Sequence, residues 1–444
     1  MTPTQVPGVL VVYHRPDYKL APIPFADAAT VREHIHAVRE YSGFPVWEVN
    51  SDLGFPIGLR DVHPAVMFLH YSLFGSGSYH LGEELFEFVR SCDAMKVAFF
   101  QDEFYFCRKR FAFVNEAGVD LVLTHVHTED IPHVWGRYAP RTRARFNYPG
   151  YVSPEIVAAA ERFALPAQER DIDVGYRGRP LQPFMGSGAL EKVVIGERFK
   201  ELAAGGSLRL DIDTSEDGRL YGDAWYGFLG RCNTVLGVES GTSYLDLEDE
   251  VYGDYEKRLA EGRPVTLEAL LEGPLGRWDH NFSYRTISPR HFEAAAFRIC
   301  QVLLEGEYSG VLQPMVHYVP LKKDFSNFDE VVALISDPKR RREITDNAHR
   351  DLIASGAYSY ARFVADIDAD LIAAGQKQTI ERRQRKMVET ALRRGRLRRR
   401  VRTEARYLSV VARLIIGRRL PARARAKLGL PPDAFDAPDQ PAGS

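Results

Sequence analysis

Residues 288–310 read SPRHFEAAAFRICQVLLEGEYSG, and they hold one complete turn of an α/β architecture. Ser288 ahead of Pro289 is a helix start: a capping hydroxyl, then a proline at the first helical position, where a missing N–H is harmless. Phe292, Ala295, Ala296 and Ile299 recur at i, i+3, i+4 and i+7, so one helix face is apolar. CQVLL is a continuous apolar run of strand length, as expected of a strand covered on both faces. EGEYSG then begins where the carboxyl end of that strand falls. Helix, fully buried strand and glycine-rich loop in this order are part of a βαβ series, hence of a parallel sheet.

The same alternation runs outward on both sides. GVLVVYH, FPVWEVN, AVMFLHYSL, MKVAFFQDEF and VDLVLTHV are short apolar strands in the first 150 residues. Between them lie helical patterns such as ADAATVREHIHAVREYSG, capped by Asp27 or Thr30, and LGEELFEFVRSC. NYPGYVSPE is a Pro/Gly turn out of this series. A second series starts at RDIDVGYRGRP and continues through SLRLDIDT, NTVLGVES, CQVLL and VHYVPL, with helices between. Two α/β domains in tandem enclose a cleft, and ligands of such sheets bind beyond the carboxyl ends of the strands.

Bulk composition agrees. The chain has 444 residues, 45% apolar and 27% charged, too long for one ordinary core. Its start lacks the pattern of a signal peptide, and no apolar run approaches the ~20 residues of a bilayer span. Cys92, Cys107, Cys232 and Cys300 are widely spaced, which points to a reduced, cytoplasmic setting without structural zinc. The net charge of −2 conceals an asymmetry: Lys377 to Lys427 holds 19 Lys and Arg against three Glu. RRGRLRRRVRTEAR followed by YLSVVARLIIG suits an amphipathic segment on an anionic membrane surface, or a helix packed on the acidic body of this chain or its twin. Nucleic acid is a poorer match, since Tyr407 is the one aromatic in the segment for stacking on bases.

Glu293 is the carboxylate of the opening helix that lies beside its apolar face. It either favours the helix dipole and pairs with Arg290, or accepts hydrogen bonds from a diol such as ribose. The two glycines and the serine of EGEYSG let backbone N–H groups line a small anion.

The ordering from ISPRHFEAAAFRICQVLLEGEYSGVLQP to DEVVALISDPKRRREITDNAHRDLIASGAYSYARFVADI resembles the C-terminal region of CgeB-like, spore-maturation-type glycosyltransferases of the GT-B class. The resemblance covers about residues 170 to 367 and extends to the first domain in architecture only. It implies two Rossmann-like domains facing across a cleft: 1–168 for the acceptor and 169–368 for a nucleotide-diphosphate sugar. Residues 369–444 then form a basic helical extension and disordered tail. By this likeness Glu293 holds the ribose with Arg290 beside it, and Tyr308, Ser309 and Gly310 face the diphosphate. Arg177, Arg179 and Lys192 supply fixed cations, so neither metal nor cofactor is needed. Glu239, Ser240, Gly241 and Thr242 line the same cleft. In the acceptor domain Asp102 and His70 are the candidates for acting on an acceptor hydroxyl.

One departure stands out. Related retaining enzymes carry a second glutamate eight residues before the ribose ligand, where this chain has Arg285, after an insertion-like stretch from Ser243. Retention and inversion stay open, as do sugar, base and acceptor. A catalytically silent nucleotide- or sugar-binding scaffold of an envelope or coat is the alternative, and the inner membrane face is an optional location. Three DID triplets (Asp171–Asp173, Asp211–Asp213, Asp366–Asp368) reflect an acidic composition rather than a metal site. His34 and His36 lie on different sides of a helix, His125 and His127 on one strand face without a third ligand, and Gly75–Ser78 reads as a loop opposite the donor.

Overall fold

The computed structural model describes residues 3–17, 29–75 and 79–418. Asp27, most of the Gly75–Ser78 loop and the end of the basic segment lie outside the described residues. Six parallel strands form the first sheet: β1 (Thr4–Tyr13), β2 (Val46–Asn50), β3 (Val62–Leu69), β4 (Met95–Phe99), β5 (Leu121–Thr124) and β6 (Arg143–Phe146). Their order is β2-β1-β3-β4-β5-β6. Five of the six follow from apolar runs. β6 is RARF, a polar edge strand whose residues are exposed or half-buried, so its pattern carries no apolar signal.

The second sheet contains β7 (Ile172–Arg177), β8 (Leu210–Asp213), β9 (Cys232–Gly237), β12 (Cys300–Leu304) and β13 (Val319–Leu321), all parallel and ordered β8-β7-β9-β12-β13. A short antiparallel hairpin of β10 (Ser240–Thr242) and β11 (Tyr284–Thr286) lies outside it. Both parallel sheets reverse direction beside their first strand, between β1 and β3 and between β7 and β9. Such switch points open a crevice at the carboxyl edge, where ligands of this architecture sit. The two Rossmann-like domains expected from the sequence are present.

Why the first sheet is smooth only in part is visible at Gly8. Its φ is +124°, and a Cβ there would meet the Trp47 ring at 2.5 Å. The register of β1 against β3 shifts between Val6 and Val9 at this point. A glycine lets the indole of β2 close over the bulge.

Two segments cross between the domains. The stretch after Ser243 is no loose insertion: Tyr244, Leu245, Leu247, Val251, Tyr255, Leu270 and Leu275 are buried in one core with Phe74, Phe104 and Phe111 of the first domain. The Asp246 N–H donates to the Phe104 carbonyl at 2.8 Å, and Asp249 accepts from the Cys107 N–H at 2.7 Å. Further on, the helix Tyr360–Ala373 packs on the helix Ala29–Tyr41, with Asp368 accepting from Ser42 Oγ (2.8 Å) and the Gly43 N–H (2.7 Å). This helix belongs by packing to the first domain. The helix Arg382–Arg393 buries Val388 and Ala391 against that domain, and the helix Arg396–Arg418 lies along it at Asp52. No described helix is long and apolar enough to cross a membrane.

Candidate functional site

The carboxyl edges of the two sheets face each other. His127, after β5, places Nε2 2.6 Å from the Arg285 carbonyl on β11, and Tyr284 donates its hydroxyl to Glu103, after β4, at 3.3 Å. The cleft between them gathers charge from both domains.

Lys192, at the start of the helix Glu191–Leu202 after β7, is the centre of this charge. Its ammonium has no hydrogen-bond or ion-pair partner among the described residues. Burial together with the positive charges of Arg290, Arg285 and Arg179 lowers its pKa to about 8, and Asp102 acts in the opposite sense. Asp102 reaches Lys192 from the other domain. It sits in the loop after β4 with φ +51°, a left-handed conformation uncommon for aspartate, and its surroundings raise its pKa against the pull of Arg110 and Lys192. An unpaired ammonium among three guanidiniums is a site for a polyvalent anion, and the carboxylate opposite is placed to meet what that anion carries.

Arg290 links this cluster to Glu293. Its guanidinium donates to the Arg177 carbonyl at 2.5 Å and lies 4.8 Å from the centre of the Trp225 ring. Trp225 Nε1 donates to Glu293 Oε2 at 2.9 Å. Burial raises the Glu293 pKa, opposed by the indole hydrogen bond and Arg290. Glu33 of the first domain lies within electrostatic reach; burial brings its pKa to about 7, and the neighbouring carboxylates Glu155 and Glu293 add to the rise. Half-buried carboxylates from two domains thus share an edge with an indole. Neither Trp225 nor Glu33 stands out in the sequence, because an aromatic or acidic residue in an amphipathic helix has no special spacing.

Other residues singled out by sequence fall differently. Arg177 is turned back under the sheet: it pairs with Asp211 at 2.7 Å and its guanidinium covers the Phe228 ring at 4.1 Å. Only its backbone reaches the cleft. Arg179 is exposed, with Glu216 at 3.9 Å. His70 is a correction. It is wholly buried, with Nδ1 bonded to the Ser72 N–H (3.0 Å) and hydroxyl (2.8 Å), so no acceptor hydroxyl reaches it.

The 306–310 loop is a second correction. Tyr308 is fully buried and donates its hydroxyl to the Leu304 carbonyl at 2.5 Å. Tyr308, Ser309 and Gly310 have φ of +47°, +54° and +70°, a left-handed run that closes the loop, with the Gly310 N–H donating to the Glu307 carbonyl at 2.8 Å. The N–H groups at its start meet a carboxylate of this chain. Glu239 Oε1 accepts from the N–H of Glu307 (3.2 Å) and Tyr308 (2.8 Å). Gly306 permits this approach, since a Cβ there would lie 2.6 Å from Glu239 Oε2. Ser309 Oγ is taken up by Thr286 Oγ1 (2.9 Å) and the Ile287 N–H (3.2 Å). Ser240 and Gly241 belong to the hairpin, and Gly241 pairs with Arg285 across it. Thr242 is buried. Arg285, the departure from the related pattern, joins Glu239 (3.4 Å) and Glu191, and Lys323 holds Glu191 from its other side (2.8 Å).

The DID carboxylates hold the fold: Asp171 pairs with Arg231, Asp173 with Arg209 and Asp211 with Arg177. Asp213 accepts from the Ser215 N–H and hydroxyl.

No protein-family model and no curated protein matches the sequence. Among solved structures the chain is similar to an alpha-glucosyltransferase in complex with UDP and a 13-mer DNA, at 10% identity and a TM-score of 0.47, covering 83% of this chain and 100% of that one. It is similar to a glycosyltransferase from Rickettsia africae at 9% identity and a TM-score of 0.43, covering 84% and 99% of the two chains. For Anabaena Alr3699/HepE in complex with UDP-glucose the identity is 10%, the TM-score 0.41 and the shares 82% and 99%. At these scores they are likenesses of outline. The GT-B arrangement stands on the chain's own two sheets, their matching switch points and the cleft between their carboxyl edges.

Proposed function

We propose that this protein is a glycosyltransferase that moves a sugar from a nucleotide-diphosphate donor to an acceptor hydroxyl. The observation that carries this is the unpaired Lys192, ringed by Arg179, Arg285 and Arg290 beside the β7 switch point, with Asp102 opposite. Breaking a glycosyl–phosphate bond places charge on a leaving diphosphate, and fixed cations in a secluded cleft stabilise that charge as it develops. Lys192 and Arg290 meet the diphosphate directly. The nucleoside lies along Trp225, with Glu293 turning from the indole N–H to the ribose hydroxyls. Asp102, its pKa raised, accepts the proton of the acceptor hydroxyl or orients it toward the anomeric carbon.

The cation set takes the part a divalent metal plays elsewhere, so donor binding and transfer proceed without added metal. The test is a titration with UDP, GDP, ADP and TDP, with magnesium and with EDTA, followed by donor hydrolysis. Selective binding unaffected by EDTA and lost in Lys192→Ala supports the reading. Binding without donor hydrolysis or transfer under any condition favours a nucleotide-binding scaffold, and binding of none overturns both.

A further inference from the structure

We propose that the outward face of the helix Arg396–Arg418 seats this protein on an anionic lipid bilayer. The helix has three distinct faces. The first is used for docking: Thr403 Oγ1 donates to the Asp52 carbonyl at 3.2 Å and the Tyr407 hydroxyl to Asp52 Oδ1 at 3.1 Å. Arg406 also pairs with Asp52, and Arg400 with Asp17 and Glu404. These contacts fix the rotation of the helix on the first domain, so what remains outside is a property of the folded chain.

The second face is apolar and open. At 100° per residue Leu397, Val401, Ala405, Leu408 and Ala412 fall in one stripe. All five are exposed; Leu397 is 79%, Val401 60% and Leu408 43% accessible. A soluble helix with one docked face has no reason to carry a second aliphatic stripe in water. The third face, beside the stripe, presents Arg398 and Arg402. They are exposed and have no acidic partner among the described residues.

An aliphatic stripe flanked by unpaired arginines matches the interface of a bilayer with negative headgroups, where the side chains enter the acyl boundary and the guanidiniums meet phosphates. Nucleic acid would use the arginines and leave the leucines in water. A second copy, stripe against stripe, would bring two sets of unpaired arginines together. A second observation points the same way. Along the preceding helix, Arg382–Arg393, an open groove of about 790 Å³ has Val62, Met387 and Ala391 on its wall and Arg382, Arg383, Lys386 and Arg394 around it. Asp61 also lines it, paired with Arg394 at 3.4 Å. Apolar wall and cationic rim suit a phosphodiester headgroup with its glycerol end.

The test is sedimentation of the full chain with vesicles of phosphatidylcholine alone and with about one third phosphatidylglycerol, at low and high salt. Two variants on exposed positions accompany it: Leu397→Glu with Val401→Glu, and Arg398→Gln with Arg402→Gln. Expected are binding to the anionic vesicles at least about tenfold stronger than to the neutral ones, and a loss of about tenfold in each variant at unchanged melting temperature. Equal binding to both vesicles, or anionic binding indifferent to the Leu397/Val401 change, overturns the proposal. So does a concentration-dependent dimer that the same change abolishes, or nucleic-acid binding that the change leaves intact while vesicles are ignored. Nucleotide binding is read separately on the same variants and stays unchanged, so this result stands apart from the reading of the cleft.

Discussion

Glu239 accepts the backbone N–H of Tyr308 at 2.8 Å and of Glu307 at 3.2 Å, and so fills with a carboxylate the anion-binding turn that the 306–310 loop makes. Arg285 balances this charge at 3.4 Å. The loop is therefore a structural clamp between β9 and β12, and on the proposed reading the diphosphate falls to Lys192. Glu239→Ala leaves two inward-facing N–H groups and Arg285 short of an acceptor. It is expected to lower stability by about 2–4 kcal/mol, read as a lower melting temperature and urea midpoint. Glu239→Gln keeps an oxygen for the N–H groups and gives the smaller loss.

If Lys192 holds the diphosphate as proposed, it makes donor affinity depend on pH. Its pKa near 8 means the ammonium is charged at neutral pH and loses its proton as pH rises past that value. A bound diphosphate favours the charged form, so affinity weakens as pH rises above about 8. Calorimetric titration with the best nucleoside diphosphate across this range is expected to show that decline. Lys192→Arg, with its permanently charged guanidinium, moves the decline to higher pH.

Asp102 separates binding from chemistry. Asp102→Asn preserves shape but cannot take a proton, so turnover should drop about 10²–10⁴-fold while the nucleotide dissociation constant changes little. Asp102 is exposed on the cleft surface, and the protein around it raises its carboxylate pKa, so in the parent protein the rate should rise with pH through a value above the ordinary range. A profile with no such rising limb, or a variant with full turnover, removes Asp102 from the reaction.

On the proposed reading, Glu293 and Trp225 act on the nucleoside. Glu293→Ala is expected to weaken the best nucleoside diphosphate by about 1.5–3 kcal/mol, the range for hydrogen bonds to a charged group. The inorganic diphosphate contains no ribose and should bind both proteins alike. Equal weakening of the two ligands would show that Glu293 acts through Arg290 instead.

His34, His70 and His125 set an acid limit on the fold. All three are buried neutral in the first domain; burial brings His34 and His125 to about 3 and puts His70 well below its ordinary value. Unfolded, each takes a proton near pH 6.5, so the stability of the neutral forms is complete above that value. It is lost as pH falls toward 3, by up to about 1.4 kcal/mol per pH unit for each histidine. His34 stands against Phe99 and Phe363, the latter from the returning helix Tyr360–Ala373. Thermal melts from pH 7 to pH 4 should show a steep fall, shallower in His34→Phe.

Much of this architecture follows from local pattern. Apolar runs such as GVLVVYH, VDLVLTHV and CQVLL read as buried strands by length and β-branched content, and Ser288–Pro289 and Gly43 mark helix ends by cap chemistry. Those signals suffice for two parallel α/β domains and for loops at carboxyl edges as the place of the site; Glu293, Arg290, Lys192 and Asp102 rest on the family resemblance, and the folded chain brings them to one cleft. What sequence alone could not decide was partnership. Arg177 and Arg179 look alike in GYRGRP, yet the first is taken by Asp211 and Phe228 while the second stays exposed. EGEYSG reads as an anion loop, and it is one, but Glu239, 68 residues before Tyr308's neighbour Glu307, supplies the anion. His70 reads as a catalytic candidate because a strand end is usually open, and here aromatic packing seals it. Local sequence fixes backbone conformation and which faces are apolar. Which charge meets which, and which of them water still reaches, is set by contacts between residues tens to hundreds of positions apart, and only the folded chain brings those together.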